Sequence, residues 1–169
     1  MAGTNGGSRH FELWVAAILV LADQLTKAAV RAWLPLSDSV TIVPGFIDLT
    51  RVHNSGAAFG MLNAMQFPGK TALLVTVALG ALVAVAWYSA SLPIEQRLAR
   101  IGLACILGGA AGNLVDRISV GYVIDFVDVH YAGWHFWAFN VADSAITIGV
   151  AIMILDLLGV GHRRVSETL

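Results

Sequence analysis

The sequence predicts an all-α membrane protein with four transmembrane helices, a small extracytoplasmic β-rich cradle and an aromatic loop. Of its 169 residues, 57% are hydrophobic and 12% are charged, whereas about 25% of the residues in an ordinary soluble domain are charged. Residues 71–90 carry no charge at all, and a run of about 20 apolar residues is long enough to cross a bilayer as a helix. Between residues 38 and 60 the apolar pattern gives way to β-branched residues and turn signals. We therefore expect a single integral membrane domain over residues 1–169.

The composition argues against several other classes of protein. The formal net charge is −1 and no cluster of basic residues exists, so we expect no nucleic-acid partner. The single cysteine, Cys105, lies in an apolar run and leaves no disulfide within the chain. There is no HExxH motif, and His53, His130 and His135 lack the spacing of zinc ligands. The sequence thus predicts neither a metal nor a cofactor.

The first predicted span covers residues 11–33 and ends ahead of Pro35. A cleaved signal peptide is the alternative for its first half, but no Ala-x-Ala cleavage site follows. The span carries Asp23 and Lys27, which are four residues apart and therefore share a helix face. They either form an ion pair at the membrane surface or brace a functional site inside a helix bundle.

The β-rich segment is predicted over residues 38–60. Two β-branched runs, SVTIV and FIDLTRV, are separated by the turn dipeptide Pro44-Gly45. The block NSGAAF follows, and its small residues permit close approach of another backbone. Asn54 and Gly56 in this block either contact a substrate or form a tight connection.

The second span is predicted over residues 71–90 and the third over residues 96–117. The third ends with Asn113, Asp116 and Arg117, whose i, i+3, i+4 spacing lets all three side chains point one way. One interpretation is a self-satisfying pair of Asp116 with Arg117 at the membrane interface. The other is a buried polar network that these residues share with neighbouring elements.

Two aspartates, Asp125 and Asp143, are each surrounded by apolar residues, and they are 18 positions apart in the sequence. On one straight helix they would be roughly 27 Å apart, but segment 126–138 between them contains Gly133, five aromatics and no helical period. A turn there would place the carboxylates face to face, where they would share one proton and could hold one water. The aromatics form either an interfacial belt or a ligand cage.

The fourth span is predicted over residues 139–160, with Asn140 and Asp143 in its first turn. Four spans place both termini on one side and gather the polar residues at one membrane surface. The ten basic residues divide equally between the two sides, so the positive-inside rule does not decide the orientation, and we expect cytoplasmic termini.

Paired carboxylates at a membrane surface support two functions of different classes. The pair could activate a water in an intramembrane aspartyl hydrolase. Alternatively, the same carboxylates could relay protons in a small proton-coupled transporter or channel. A transporter more often shows internal repeats, and none is visible here, which favours the hydrolase.

Five short blocks carry a resemblance to a known family. In order and spacing they resemble the signature of lipoprotein signal peptidase (signal peptidase II): DQLTK (23–27), NSGAAF (54–59), GNLVDR (112–117), VIDF (123–126) and FNVADSAI (139–146). The resemblance implies an aspartyl endopeptidase of the bacterial inner membrane, with its active site at the outer surface. Such an enzyme removes the signal peptide from diacylglyceryl-modified prolipoproteins and cuts before the lipidated cysteine.

The resemblance also implies roles for individual residues. The catalytic dyad falls on Asp125 and Asp143. The supporting residues of the family fall on Asp23, Lys27, Asn54, Asn113, Arg117 and Asn140. To these we add Gly56 and Asp116, which lie in the same blocks. The implied partners are prolipoprotein substrates, membrane lipid, and cyclic peptide antibiotics such as globomycin as inhibitors. No cofactor is implied, and we expect a monomer.

Overall fold

The computed structural model describes residues 6–57 and 61–159 of the chain. A helix lies at each of the four predicted spans: α1 Gly6–Trp33, α2 Lys70–Ser91, α3 Arg97–Ser119 and α4 Val141–Leu157. The last residue of the fourth predicted span, 160, lies outside the described residues, as do residues 58–59 of the NSGAAF block.

Among the described residues, three helices are long and apolar enough to cross a membrane, over His10–Trp33, Lys70–Ser91 and Arg97–Ser119. Their length and composition agree with the prediction of a membrane protein. Helix α4 is shorter, with 17 residues, which correspond to about 26 Å at 1.5 Å per residue. It carries no charge between Asp143 and Asp156, and its other polar side chains are those of Ser144 and Thr147.

Four antiparallel strands form one small sheet in the order β1-β2-β3-β4. Their bounds are β1 Ser39–Val43, β2 Ile47–Asn54, β3 Val123–Tyr131 and β4 Trp134–His135. Strands β1 and β2 confirm the strand pair predicted within residues 38–60, and Gly45 takes a positive φ of 79° in the turn between them. Strand β2 pairs in turn with β3, so that Val52 lies opposite Asp125.

The aromatic segment, residues 126–138, was predicted as a loop but contains part of β3 and all of β4. Residues 126–131 continue strand β3, and a tight turn at Ala132 and Gly133, with φ of 49° and 82°, returns the chain into β4. Beyond β4 the chain runs back beside its own strand, where Phe139 pairs with Val127. The segment is therefore largely a hairpin. Its return path places the start of α4 beside Asp125.

Helix α3 lies at the centre of the bundle and packs closely through its glycines. A Cβ atom on Gly108 would lie 2.9 Å from the Ala16 carbonyl oxygen of α1, and one on Gly102 would lie 2.9 Å from the Gly149 carbonyl oxygen of α4. A Cβ atom on Gly109 would overlap the backbone of Ala142. Because real Cβ atoms do not approach other atoms so closely, these helices contact one another through their backbones.

Candidate active site

Asp125 lies on β3 with 3% of its surface exposed. Its carboxylate accepts two amide hydrogen bonds, from Asn54 Nδ2 at 3.0 Å and from Asn140 Nδ2 at 2.7 Å. Asn54 ends strand β2, one of the neighbours of β3, while Asn140 lies directly ahead of α4. Three separate elements therefore meet at this one carboxylate.

Asp143 lies in the first turn of α4 and is held by the same asparagine. The Asn140 side-chain oxygen accepts a hydrogen bond from the Asp143 backbone N–H at 2.9 Å, which caps the helix. The Asp143 carboxylate accepts a hydrogen bond from Asn113 Nδ2 at 2.7 Å. Asn140 thus bonds the Asp125 carboxylate with its amide nitrogen and the Asp143 backbone N–H with its oxygen. One side chain therefore contacts both residues.

Asn113 connects this pair to a buried charge cluster. Its oxygen accepts hydrogen bonds from Lys27 Nζ at 2.9 Å and from Asn140 Nδ2 at 3.2 Å, which leaves its amide nitrogen directed at Asp143. The Lys27 ammonium also pairs with Asp23 and Asp116, each at 2.8 Å. All three charged side chains are at most 1% exposed. The structure therefore contains a buried ionic cluster directly behind the asparagine that contacts Asp143.

Each member of the cluster has further hydrogen-bond partners, as buried charges require. Asp23 accepts from the Ala142 backbone N–H at 3.0 Å, and Asp116 accepts from the Ile124 backbone N–H at 3.3 Å. Gln24 donates to Asp116 at 3.1 Å and to Asp23 at 3.2 Å. The cluster thus ties α1 and α3 to β3 and to the first turn of α4.

Arg117 does not pair with Asp116, as one of the two sequence interpretations proposed. It donates instead to the Gly56 carbonyl oxygen at 2.9 Å, while the Gly56 N–H donates to Asn54 Oδ1 at 2.9 Å. A Cβ atom on Gly56 would overlap the backbone carbonyl of Met61, so only glycine fits there. Asn54 and Gly56 therefore connect Arg117 with Asp125.

Both aspartates border one cavity of about 660 Å³. Its polar side is formed by Asn54, Asn113, Arg117, Asp125 and Asp143. Its other walls are apolar and come from α2, α3, α4 and the chain between β4 and α4; they include Ala78, Ala110, Ile146, Ile148, Phe136 and Trp137. A site of this kind suits a substrate with an apolar stretch and one polar reacting group.

Burial raises the pKa of Asp125 to about 6, and the negative charge of Asp143 adds to this effect. The amide hydrogen bonds from Asn54 and Asn140 and the charge of Lys27 lower the pKa in part but do not cancel the rise. A carboxyl group whose pKa lies this close to neutrality can hold or release a proton during a reaction at ordinary pH. Two carboxylates beside one cavity, with the pKa of Asp125 raised, can supply the acid and the base that activate a water.

The histidines that the sequence analysis considered do not border the cavity. His53 stacks on Tyr122 with 3.8 Å between ring centroids, and His130 and His135 stack on each other at 4.9 Å. Within residues 6–57 and 61–159, no group of three or more His, Cys, Asp or Glu side chains is arranged to hold a metal ion.

The structure gathers all ten site residues that the sequence analysis named into one connected network. It adds two polar residues that sequence reasoning missed, Gln24 and Lys70. Gln24 lies within the DQLTK block, but an uncharged amide carries no signal of burial, and its partner Asp116 lies on another helix. Lys70 lies at the start of an otherwise uncharged helix, and its burial to 6% exposure could not be inferred from the sequence.

A family model described as Signal peptidase (SPase) II matches residues 15–159, which is most of the chain. This chain belongs to the signal peptidase II family. Lipoprotein signal peptidase of Geobacter metallireducens is 43% identical over 153 residues, which cover 90% of this chain and 93% of that relative. Lipoprotein signal peptidase of Burkholderia mallei is 40% identical over 158 residues, covering 94% and 93%.

This signal peptidase II family member also has the fold of a solved membrane enzyme. A bacterial membrane enzyme solved by the in meso method at 2.3 Å resolution matches with a TM-score of 0.77 and 29% sequence identity. The match covers 95% of this chain and 94% of that one. The resemblance read from the five sequence blocks is therefore confirmed by independent comparisons.

Proposed function

We propose that this chain is a membrane-embedded aspartyl endopeptidase that removes signal peptides from diacylglyceryl-modified prolipoproteins and cuts before the lipidated cysteine. Its family and the names of its relatives support signal-peptide removal from prolipoproteins. The observation that carries the catalytic assignment is that Asp125 and Asp143 border one cavity, where Asn140 donates to the Asp125 carboxylate and to Asn113, which donates to the Asp143 carboxylate. The transporter alternative has no support from the comparisons.

In the proposed reaction the two aspartates share one proton. The ionised member takes a proton from a water molecule as its oxygen attacks the scissile carbonyl carbon, and the protonated member donates to the carbonyl oxygen. The tetrahedral intermediate collapses when a proton passes to the amide nitrogen and the C–N bond breaks. The products are the carboxyl end of the signal peptide and the free amine of the lipidated cysteine.

The other site residues support this pair in different ways. Asn113 and Asn140 orient the carboxyl groups through their hydrogen bonds, while Lys27, Asp23 and Asp116 hold Asn113 in place from behind. Arg117 and Asn54 both border the cavity and both contact Gly56, so they form the wall against which the substrate peptide lies.

We also propose that α4 crosses the membrane as the fourth span and that one domain acts alone as a monomer. Support comes from the close backbone packing of α4 along α3 and from its apolar sequence. At the far end of the bundle from the aspartates, Arg100 forms a bidentate ion pair with Glu12, with Nη2 2.9 Å from Oε2. This pair marks the end that we assign to the cytoplasm. The aspartates then face the outer surface of the bacterial inner membrane.

The first test is a gel-shift assay with the purified chain and a purified diacylated prolipoprotein, with and without globomycin. We expect a shortened product that globomycin suppresses, because the antibiotic is proposed to occupy the cavity beside the aspartates. Proton or ion flux in reconstituted vesicles without any peptide product would contradict the proposed function.

Filling the apolar part of the cavity should weaken substrate binding. Ala78 on α2 and Ala110 on α3 both border the cavity, and a phenylalanine at either would occupy the space proposed for the apolar part of the signal peptide. We expect Ala78→Phe to raise KM roughly 10-fold or more, as steric exclusion from an apolar site does. Steady-state kinetics on the diacylated prolipoprotein measure the effect.

Ala81→Phe is the matched control for this change, since Ala81 lies on the same helix, is exposed and does not border the cavity. Its KM should equal that of the wild type. An unchanged KM in both Ala78→Phe and Ala110→Phe would contradict the placement of the substrate.

The raised pKa of Asp125 predicts how the rate depends on pH. Because the pKa is about 6, against an ordinary value of 3.8, Asp125 retains a proton up to about pH 6 and loses it above. A pair that needs one shared proton then becomes doubly ionised, so kcat/KM is expected to fall as the pH rises through about 6. The apparent pKa of this fall belongs to the coupled pair of aspartates.

The same shift in pKa affects stability. Between pH 3.8 and 6 the folded protein binds more protons than the unfolded chain, so the contribution of the Asp125 carboxyl to stability decreases as the pH rises across that window.

A pH profile of kcat/KM in lipid mesophase or detergent tests this prediction. Asp128→Asn provides the control, because Asp128 is on the same strand but pairs with His135 and does not border the cavity. It should leave the descending limb in place. A flat profile between pH 5 and 8 would contradict the shared proton.

A further inference from the structure

Lys70 is a buried cation that the proposed mechanism does not use. It is the first residue of α2 and 6% exposed. Its ammonium donates to the Ser55 hydroxyl oxygen at 3.1 Å, to the Asn63 carbonyl oxygen at 3.3 Å and to the Met65 carbonyl oxygen at 2.9 Å. An ammonium group has three N–H donors, and here each has one acceptor.

The position of Lys70 is electrostatically unfavourable for the helix that it begins. A helix N-terminus carries a partial positive charge and disfavours cations. The first turn of α2 contains no acidic residue, and its N-cap makes no side-chain hydrogen bond. Among the described residues no ion pair joins Lys70 to a carboxylate. The cost of burying this charge is therefore offset by three hydrogen bonds to uncharged oxygens, all on residues 55–65.

One of these acceptors, Ser55, belongs to the turn formed by Asn54, Ser55, Gly56 and Ala57, which we call the 54–57 turn. Ser55 is fixed a second time, because its N–H and hydroxyl both donate to Asn63 Oδ1, at 3.1 and 2.8 Å. Lys70 and Asn63 together hold the 54–57 turn, and neither of them borders the cavity.

The other face of the 54–57 turn contacts the active site. Asn54 donates to Asp125 and Gly56 accepts from Arg117, at 3.0 and 2.9 Å. Asn54 and Ala57 border the cavity. A displacement of Ser55 would therefore alter the wall against which the substrate peptide is proposed to lie, while the contacts of Asn140 with both aspartates would persist.

We propose that Lys70 is a positioning residue for substrate binding, which fixes the 54–57 turn against the cavity and so sets the affinity for the peptide around the cleavage site. This inference rests on the proposed function. It assigns Lys70 an effect on KM rather than on the chemical step, because the lysine touches neither aspartate.

The test compares wild type with Lys70→Met in steady-state cleavage of a purified diacylated prolipoprotein by the full-length chain. Three hydrogen bonds to a charged group are lost, so we expect KM to rise roughly 10-fold or more. The kcat at saturating substrate and the shape of its pH profile should stay close to wild type, because the pairing of Asn54 with Val123 between β2 and β3 holds Asn54 beside Asp125 independently of Lys70. Arg97→Met, which removes an exposed basic residue beyond the other end of α2, should change neither parameter.

Two further variants separate positioning from simple loss of fold. Asn63→Ala leaves the ammonium in place but removes both side-chain contacts to Ser55, and it should raise KM in the same direction. Ethylammonium added to Lys70→Ala should lower KM toward the wild-type value by supplying the missing donors. An unchanged KM in both Lys70→Met and Asn63→Ala, or a fall in kcat alone, would overturn the inference.

The failure of this inference can be distinguished from failure of the proposed function. Cleavage by the wild type together with an unchanged KM in the variants overturns the role of Lys70 alone. Absence of cleavage by the folded wild-type chain overturns the proposed function and the inference with it.

Discussion

Asp125→Asn and Asp143→Asn are each expected to abolish cleavage of a diacylated prolipoprotein while the protein stays folded and inserted. Neither amide can take a proton from water or hold the shared proton, so the loss should be roughly 10⁴-fold or more, at the upper end for a catalytic acid or base. The size of the side chain hardly changes in either variant. Product formation on a gel and kcat from initial rates measure the effect.

Asp128→Asn is the matched control for both variants. It removes a carboxylate from the same strand as Asp125, where the side chain pairs with His135 at 2.8 Å outside the cavity. Its cleavage rate should be close to wild type. Retained cleavage by either dyad variant would refute the catalytic assignment, whereas equal loss in Asp128→Asn would show that the assay reports unfolding.

Lys27→Met is expected to destabilise the fold more than any other single change at the site. Methionine fits the space, but Asp23 and Asp116 would remain buried at 0% and 1% exposure without their shared cation. Breaking a buried ion pair from one side costs roughly 3–5 kcal/mol because a charge is left unpaired. The free energy of unfolding in mixed micelles, measured against denaturing detergent, tests this value.

The double variant Lys27→Met, Asp23→Asn provides the internal control. Removing one of the two unpaired buried carboxylates should recover part of the lost free energy of unfolding. The double-mutant cycle gives the coupling energy between Lys27 and Asp23. If Lys27→Met lowers the free energy of unfolding by less than about 1 kcal/mol, the cluster is not the buried ionic centre that its geometry indicates.

Much of the helical architecture could be predicted because hydropathy is a local property. The uncharged run at 71–90 predicts α2 to within a few residues of its observed bounds. Pro35, which lies ahead of the strands, predicts where α1 ends. The close packing of α3 depends on glycines such as Gly102 and Gly109, whose partners on α4 are not apparent from either helix alone.

The strand that carries Asp125 was not predicted, and the reason is instructive. Residues 127–131 alternate in the manner of a strand, but residues 123–127 do not, and the aromatics that follow favour a loop. The pairing that makes this stretch a strand comes from β2, about seventy residues earlier in the chain. Long-range pairing of this kind leaves no local trace in a single sequence.

The polar residues were easier to find than their partners. Apolar surroundings singled out Asp23, Lys27 and Asp116, because an ionisable residue in an apolar helix is costly. Sequence spacing offered Arg117 as a partner for Asp116, yet Asp116 pairs with Lys27 on another helix. A spacing rule identifies which side chains can meet on one helix, and it contains no information about a competing cation on a neighbour.

The uneven lining of the cavity has a consequence for how resistance to an inhibitor would arise. Its polar side consists of residues that are bonded to the aspartates or to one another, so most substitutions there would also lower activity. Its apolar walls are built from Ala78, Ala110, Ile146 and Ile148, which make no hydrogen-bonded contribution to the pair. Escape from a compound that fills the cavity should therefore begin at the apolar walls, through substitutions smaller than the phenylalanine that would exclude the substrate. An inhibitor that draws its affinity from the asparagines and carboxylates leaves the enzyme fewer tolerated routes of escape.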